Sequence, residues 1–410
     1  MFLETIARRN PDLVRAAVGM HQAGAIPPNC YLLDLDAIRS NARLIKNAAD
    51  QAGLQVYPMA KQVGRNPLFV RTVARAGMPR FVCVDWTGAR LLSHHKARIG
   101  HVGHLVQIPR TEATAIATLN PQVWTVFNLE KAREASEAAQ QVGRTQHLLL
   151  RTVRACDTFY PTHDGGFDLD HVVRAAKAIA TYQNVRVVGV TSFPTLLFDA
   201  ERRSTYLTPN METILLAAQR LHTELGLEIS QINAPGTTSA STMQMLAQAG
   251  ATHVEPGHGF TGTTPWHAYE DLPEKPAMCY LTEVSDLRGD QAYVLGGGFF
   301  VDPVVPPYQV RALVGSSGDE ALANRADADL GAPGAIDYYA LLDCRSAKVE
   351  IGDSVVFGFR PQVFATRAYV AVVRGIGRKK PKLAGVFDVT GRRVRWASRD
   401  LPANQGQEVV

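Results

Sequence analysis

The sequence predicts an α/β protein built as a (β/α)8 TIM barrel followed by a mainly β second domain. Three observations carry this. Eight short apolar runs, near residues 54–60, 80–85, 102–108, 122–127, 146–152, 185–191, 228–233 and 251–255, recur through the middle of the chain. Runs such as Phe81-Val82-Cys83-Val84 and Val185 to Val190 lack polar alternation, as parallel strands covered on both faces do. Between them lie alanine-rich amphipathic segments long enough for crossover helices, for example Leu129 to Gln141 and Leu169 to Thr181. Pattern alone does not close a sheet, so a doubly wound open sheet is the competing arrangement.

Taken in order, residues 1–29 read as a helix and lead-in. Glu4, Arg8, Arg9 and Asp12 interrupt the apolar positions as in a short amphipathic helix, not a signal peptide, and Pro27-Pro28 ends the segment. Cys30 to Leu35 reads as a strand, and Asp36 is placed to cap the helix that follows. The barrel domain is assigned to residues 30–265. From Trp266 the texture changes to alternating runs (Ala277–Glu283, Ala292–Leu295, Lys348–Val356, Ala368–Val373) between Gly, Pro and Asp turns, which assigns 266–397 to a β domain. Within it Gly315 to Gly334 is expected to be a mobile excursion or a short helix. Residues 398–410 are expected to be a flexible tail.

Composition narrows the function classes. The 410 residues are 46% hydrophobic and 20% charged, with a net charge of +5, as in an ordinary soluble globular protein. The basic runs Arg378-Lys379-Lys380 and Arg392-Arg393 lack interleaved aromatics, so no nucleic-acid partner is expected. No apolar run reaches membrane-spanning length. The five cysteines are odd in number, widely spaced and never in a Cys-x-x-Cys pair, which fits a reducing compartment; the expected location is cytoplasmic.

Lys61 stands where the apolar run Leu54 to Ala60 meets Gly64, Asn66 and Pro67, so its amine would sit at the end of the first barrel strand. Alone, such a lysine better suits a packed stem with its head in water. Two Gly/Thr-rich loops follow strands seven and eight: Ala234 to Ser241, with Gly236, Thr237 and Thr238, and Glu255 to Thr264, with Gly257 and His258. Barrels often bind phosphate there. A phosphate site, a strand-end lysine and a carboxylate, Glu255, are the set that pyridoxal 5'-phosphate requires: an amine to attach it, donors for its phosphate, and an acid for its ring nitrogen.

The segment Leu32-Leu33-Asp34-Leu35-Asp36 to Arg43, then Lys61, then Glu255-Pro256-Gly257, then a β domain resembles the alanine-racemase-like, fold type III pyridoxal phosphate enzymes, and among them the YhfX-like branch. The resemblance spans about residues 30 to 380. It implies that strand 30–35 joins the second domain and that a homodimer completes the active site. It makes Lys61 the Schiff-base lysine, Gly236, Thr237 and Thr238 one phosphate loop, and Gly257 with His258 the other. Glu255 takes the position facing the ring nitrogen, where alanine racemases have an arginine and related decarboxylases a glutamate. Phe193 stands where relatives place a histidine against the ring, and His258 replaces a decarboxylase arginine.

A racemase also needs an acid/base on the opposite face of the substrate. The resemblance implies Cys344, from Asp343-Cys344-Arg345, with Tyr338 and Tyr339 as alternatives; a structural cysteine is the plainer reading. Arg65 suits phosphate, a substrate carboxylate or a structural role. His94-His95 and His101-Val102-Gly103-His104 lack helical metal-ligand spacing, so no metal is expected. The expected activity is amino-acid racemisation by a pyridoxal phosphate enzyme. Decarboxylation, β-elimination and non-catalytic cofactor binding are the alternatives.

Overall fold

A computed structural model describes residues 2–302, 308–331, 336–362, 364 and 366–396. The expected tail 398–410 and the end of the Gly315–Gly334 segment lie outside the described residues. Two compact units are present: Ala37–Lys275, and Met1–Asp36 together with Pro276–Val410.

The first unit is a parallel barrel. Its strands are β1 (Gln55–Val56), β2 (Arg80–Val82), β3 (Arg98–Val102), β4 (Val123–Val126), β5 (Gln146–Val153), β6 (Val185–Thr191), β7 (Gln231–Asn233) and β8 (His253–Val254). Each pairs in parallel with its neighbour, and β8 returns to β1 through His253↔Gln55 and Val254↔Val56. The ring closes where the segment after β1 reaches β2, through the Met59↔Val82 bridge and the bond from Val82 N–H to Pro58 O at 3.0 Å. The interior is filled by Tyr57, Val82, Val123, Leu149 and Val188, with Met59 packed against them. These side chains fill one face of the strands and the crossover helices cover the other, which is why the runs read as apolar without alternation.

Helix starts follow local chemistry. Asn66 accepts from Leu68 and Phe69 N–H ahead of Pro67–Arg75, Asp85 accepts from Gly88 N–H ahead of Trp86–His94, and Asn128 accepts from Lys131 N–H ahead of Leu129–Gln141. Two strands differ from expectation: β1 is only Gln55–Val56 where 54–60 was expected, and β3 ends at Val102, whereas the apolar run suggested 102–108. Gly103 has φ +74°, and a Cβ there would lie 2.5 Å from the Thr125 carbonyl oxygen. The chain therefore leaves the sheet at this glycine, and the run beyond it is a loop.

In the second unit a mainly antiparallel sheet, ten-stranded among the described residues, holds the strand Cys30–Asp34 between Met278–Arg288 and Tyr369–Arg374. The N-terminal helices Leu3–Arg9 and Pro11–Gln22 also belong to this unit, the latter burying Leu13, Val14, Ala17 and Val18. The division after the barrel falls at Lys275/Pro276, ten residues beyond the change of texture at Trp266. Within Gly315–Gly334, Gly318–Ala323 is a short helix and Arg325–Asp329 a strand.

Candidate active site

The polar groups around Lys61 and Glu255 lie towards the C-terminal ends of barrel strands, where loops give access to the interior. Lys61 opens a short 3-10 turn, Lys61–Val63, just after the closing bridge at Met59, and is half-buried. Gly64 ends that turn at φ +61°. The neighbouring Gln62 is fully buried and donates from Nε2 to Met59 O at 3.0 Å and to Gly257 O at 2.9 Å. The lysine turn is thus tied to the loop after β8. Arg65 is paired with Asp85 at 3.1 Å, which assigns it a local structural contact.

Glu255 follows β8 directly and its side chain is wholly buried. Its Oε1 meets His101 Nδ1 at 2.5 Å and accepts from Asn233 Nδ2 at 3.0 Å. His101 Nε2 lies 2.6 Å from the Thr125 hydroxyl. On the other oxygen, Oε2, His104 Nε2 stands at 3.1 Å without making a hydrogen bond, and Oε2 has no hydrogen-bond partner among the described residues. Burial alone raises the Glu255 carboxyl, but His104, His101 and Asn233 outweigh it and hold the group below the ordinary carboxylate value. His104 is itself pushed down to about 3, chiefly by burial, and is uncharged at neutral pH. There the carboxylate is stabilised by the bonds from His101 and Asn233.

An aromatic wall adjoins this cluster. Phe193, after β6, meets the His104 ring edge-on at 5.7 Å and Tyr160 at 5.6 Å. Arg151, near the end of β5, is fully buried, with its guanidinium 4.7 Å from the Phe127 ring centre. Its Nη2 donates to His163 O, while Nε and Nη1 have no hydrogen-bond partner among the described residues. Burial lowers it to about 10, so it remains a cation at neutral pH.

The loops after β7 and β8 touch. A Cβ on Gly259 would lie 2.9 Å from Thr238 O, and one on Gly236 would lie 2.4 Å from Leu196 O. Thr237 N–H donates to Leu196 O at 2.9 Å, which leaves its hydroxyl, not its amide, for a ligand. Thr238 is buried, its hydroxyl 3.3 Å from Gly236 O. His258 is buried at the head of the turn His258–Thr261, with Nδ1 3.2 Å from Thr263 Oγ1.

The structure therefore brings the segment of Lys61, Gly236, Thr237, Thr238, Glu255, Gly257 and His258 to one end of the barrel, with Phe193 on the aromatic wall beside Glu255. Cys344 belongs to the other unit, directly after the strand Tyr339–Asp343, and its thiol is raised chiefly by burial, then by Asp343 and Asp290. Sequence reasoning missed Arg151, Asn233 and Thr125, and set aside His101 and His104 on spacing alone. A signal existed for Arg151, a charge ending the run Leu148-Leu149-Leu150.

A parallel eight-stranded barrel, in a chain that also carries a mainly antiparallel β unit, has known counterparts. The alanine racemase N-terminal domain family matches residues 33–265, and the YhfX-like C-terminal domain family matches 279–383. The chain belongs to the alanine-racemase-like family, in its YhfX-like branch. It is 36% identical over 394 residues to the uncharacterized protein YhfX of Escherichia coli K12, spanning 95% of this chain and 99% of that one. Among solved structures it resembles D-threonine aldolase from Filomicrobium marinum (TM-score 0.64, 19% identity, 90% of this chain and 96% of that one). It also resembles alanine racemase from Clostridium difficile 630 in complex with cycloserine (TM-score 0.59, 14% identity, 88% and 98%). A D-threo-3-hydroxyaspartate dehydratase superposes comparably (TM-score 0.60, 12% identity, 88% and 95%). Among the described residues no helix is long and apolar enough to cross a membrane.

Proposed function

We propose that this chain is a pyridoxal 5'-phosphate enzyme acting at the α-carbon of an amino acid, as a racemase. The observation that carries the reading is a pair of buried, unmatched groups at the barrel end that also bears Lys61: Glu255 Oε2, an acceptor, and Arg151 Nε and Nη1, donors. Buried polar atoms are ordinarily satisfied. A carboxylate oxygen suits a protonated ring nitrogen, and the guanidinium suits an anionic oxygen of cofactor or substrate. These residues fit the cofactor.

When bound, pyridoxal phosphate supplies an aldehyde that condenses with an amine and a ring that accepts the electron pair left at the α-carbon. Lys61 provides the attaching amine and moves the α-proton on one face. Glu255 would hold the ring nitrogen, Phe193 would pack on the ring, and Gly236, the Thr237 hydroxyl, Thr238, Gly257 and His258 would receive the phosphate. The opposite face is assigned to Cys344 of a second copy of the chain, in a homodimer. One observation favours a second reading: a carboxylate, held ionised as Glu255 is, keeps the ring a strong electron sink and so also suits decarboxylation or β-elimination. The D-threonine aldolase and dehydratase likenesses support the same breadth at the level of fold. The test is incubation of cofactor-loaded protein with an amino-acid panel in D₂O. α-Deuteration with loss of chirality supports the racemase, and release of carbon dioxide or ammonia overturns it in favour of the second reading.

A further inference from the structure

We propose that His101 is a positioning residue: anchored at Nε2 by the Thr125 hydroxyl, it fixes Oε1 of Glu255 and leaves Oε2 as the acceptor for a bound ring N–H. The inference rests on the cofactor reading above and adds to it the residue that sets how the carboxylate is presented. Both partners of Oε1 come from other strands, His101 from β3 and Asn233 from β7, the strand next to β8. Rotation of the carboxylate would break both bonds at once. Asn233 is itself fixed, with Nδ2 3.2 Å from Thr191 Oγ1. Thr125 reaches His101 from β4 as Thr191 reaches Asn233 from β6, so four strands besides β8 hold one carboxylate, two directly and two through those partners.

One possible ligand atom from each of His101, His104 and Glu255 lies within 4.8 Å of the other two, which raises the question of a metal ion. Zinc takes nitrogen and carboxylate oxygen at about 2.0–2.2 Å in a tetrahedral set, which separates such donors by about 3.3 Å. The 2.5 Å contact of His101 with Glu255 is a hydrogen bond and leaves no ion between them. Other titratable groups facing the cluster are His104 across Oε2, Tyr57 with its ring centre 6.1 Å from that of His101, His253, and, beyond His104, Lys61 and Arg151.

The test uses the full-length protein, titrated with pyridoxal 5'-phosphate and followed by the pH dependence of its visible absorbance. Wild type, His101→Ala, His101→Asn and Thr125→Val are compared. His101→Ala and Thr125→Val are expected to move the absorbance midpoint upward by about one pH unit and to weaken cofactor binding about tenfold. His101→Asn, which retains an N–H close to the place of Nδ1, is expected to restore most of both. If His101→Ala does not fold, Thr125→Val, near-isosteric with wild type, decides. Variants indistinguishable from wild type overturn the inference while leaving the cofactor reading intact, and so does an Asn variant no better than Ala. Stoichiometric metal in wild type that the His101 variants lose also overturns it. A wild-type protein that develops no visible band ends the cofactor reading and the inference with it.

Discussion

A carboxylate buried as deeply as Glu255 stays ionised only where hydrogen bonds replace water, and here His101 and Asn233 supply them on one oxygen. Glu255→Gln keeps the shape but cannot carry the charge. It is expected to slow α-proton exchange about a hundredfold or more in D₂O assays while Lys61 still takes the cofactor. His104 makes a pH prediction. An unfolded chain protonates it as the pH falls through 6.5, but the folded chain does not until about 3, so the unfolded state binds more protons between these values and stability falls on acidification. His253, lowered to about 4, acts in the same direction. Glu255 acts lower still, its contribution being present above the unfolded carboxyl value and lost as the pH drops through the depressed folded one. Urea unfolding of His104→Gln at pH values above and below 6.5 should therefore show a shallower acid loss than wild type.

Turns and caps decide where the strands release these side chains. Gly103 ends β3 between His101 and His104, with left-handed backbone and the Thr125 carbonyl against it. Gly103→Ala is expected to lose about 1–3 kcal/mol in urea unfolding. Asn66→Ala removes the cap of the helix behind the lysine turn and should lose about 1 kcal/mol in the same assay. The barrel was legible in the sequence because strands buried on both faces leave uninterrupted apolar runs separated by amphipathic helices. The end of β3 was not, because Gly103 sits inside a run that reads as continuous and only the nearby Thr125 carbonyl stops it.

Across the whole molecule, chain order and spatial order diverge. His101 and Glu255 are 154 residues apart in sequence and meet only when the barrel closes. Local spacing thus set aside His101 and His104 as metal ligands, while Lys61 and Glu255, each after an apolar run and beside a turn signal, were legible as candidates. The N-terminal helices belong to the β unit for a similar reason: their amphipathic pattern says that they pack, not on what. The central claim is covalent attachment at Lys61. Its most direct test is borohydride reduction of the pyridoxal phosphate-loaded protein followed by peptide mass spectrometry. Reduced cofactor on Lys61, with no visible chromophore in Lys61→Ala, is the predicted result; a chromophore that persists in Lys61→Ala would contradict it.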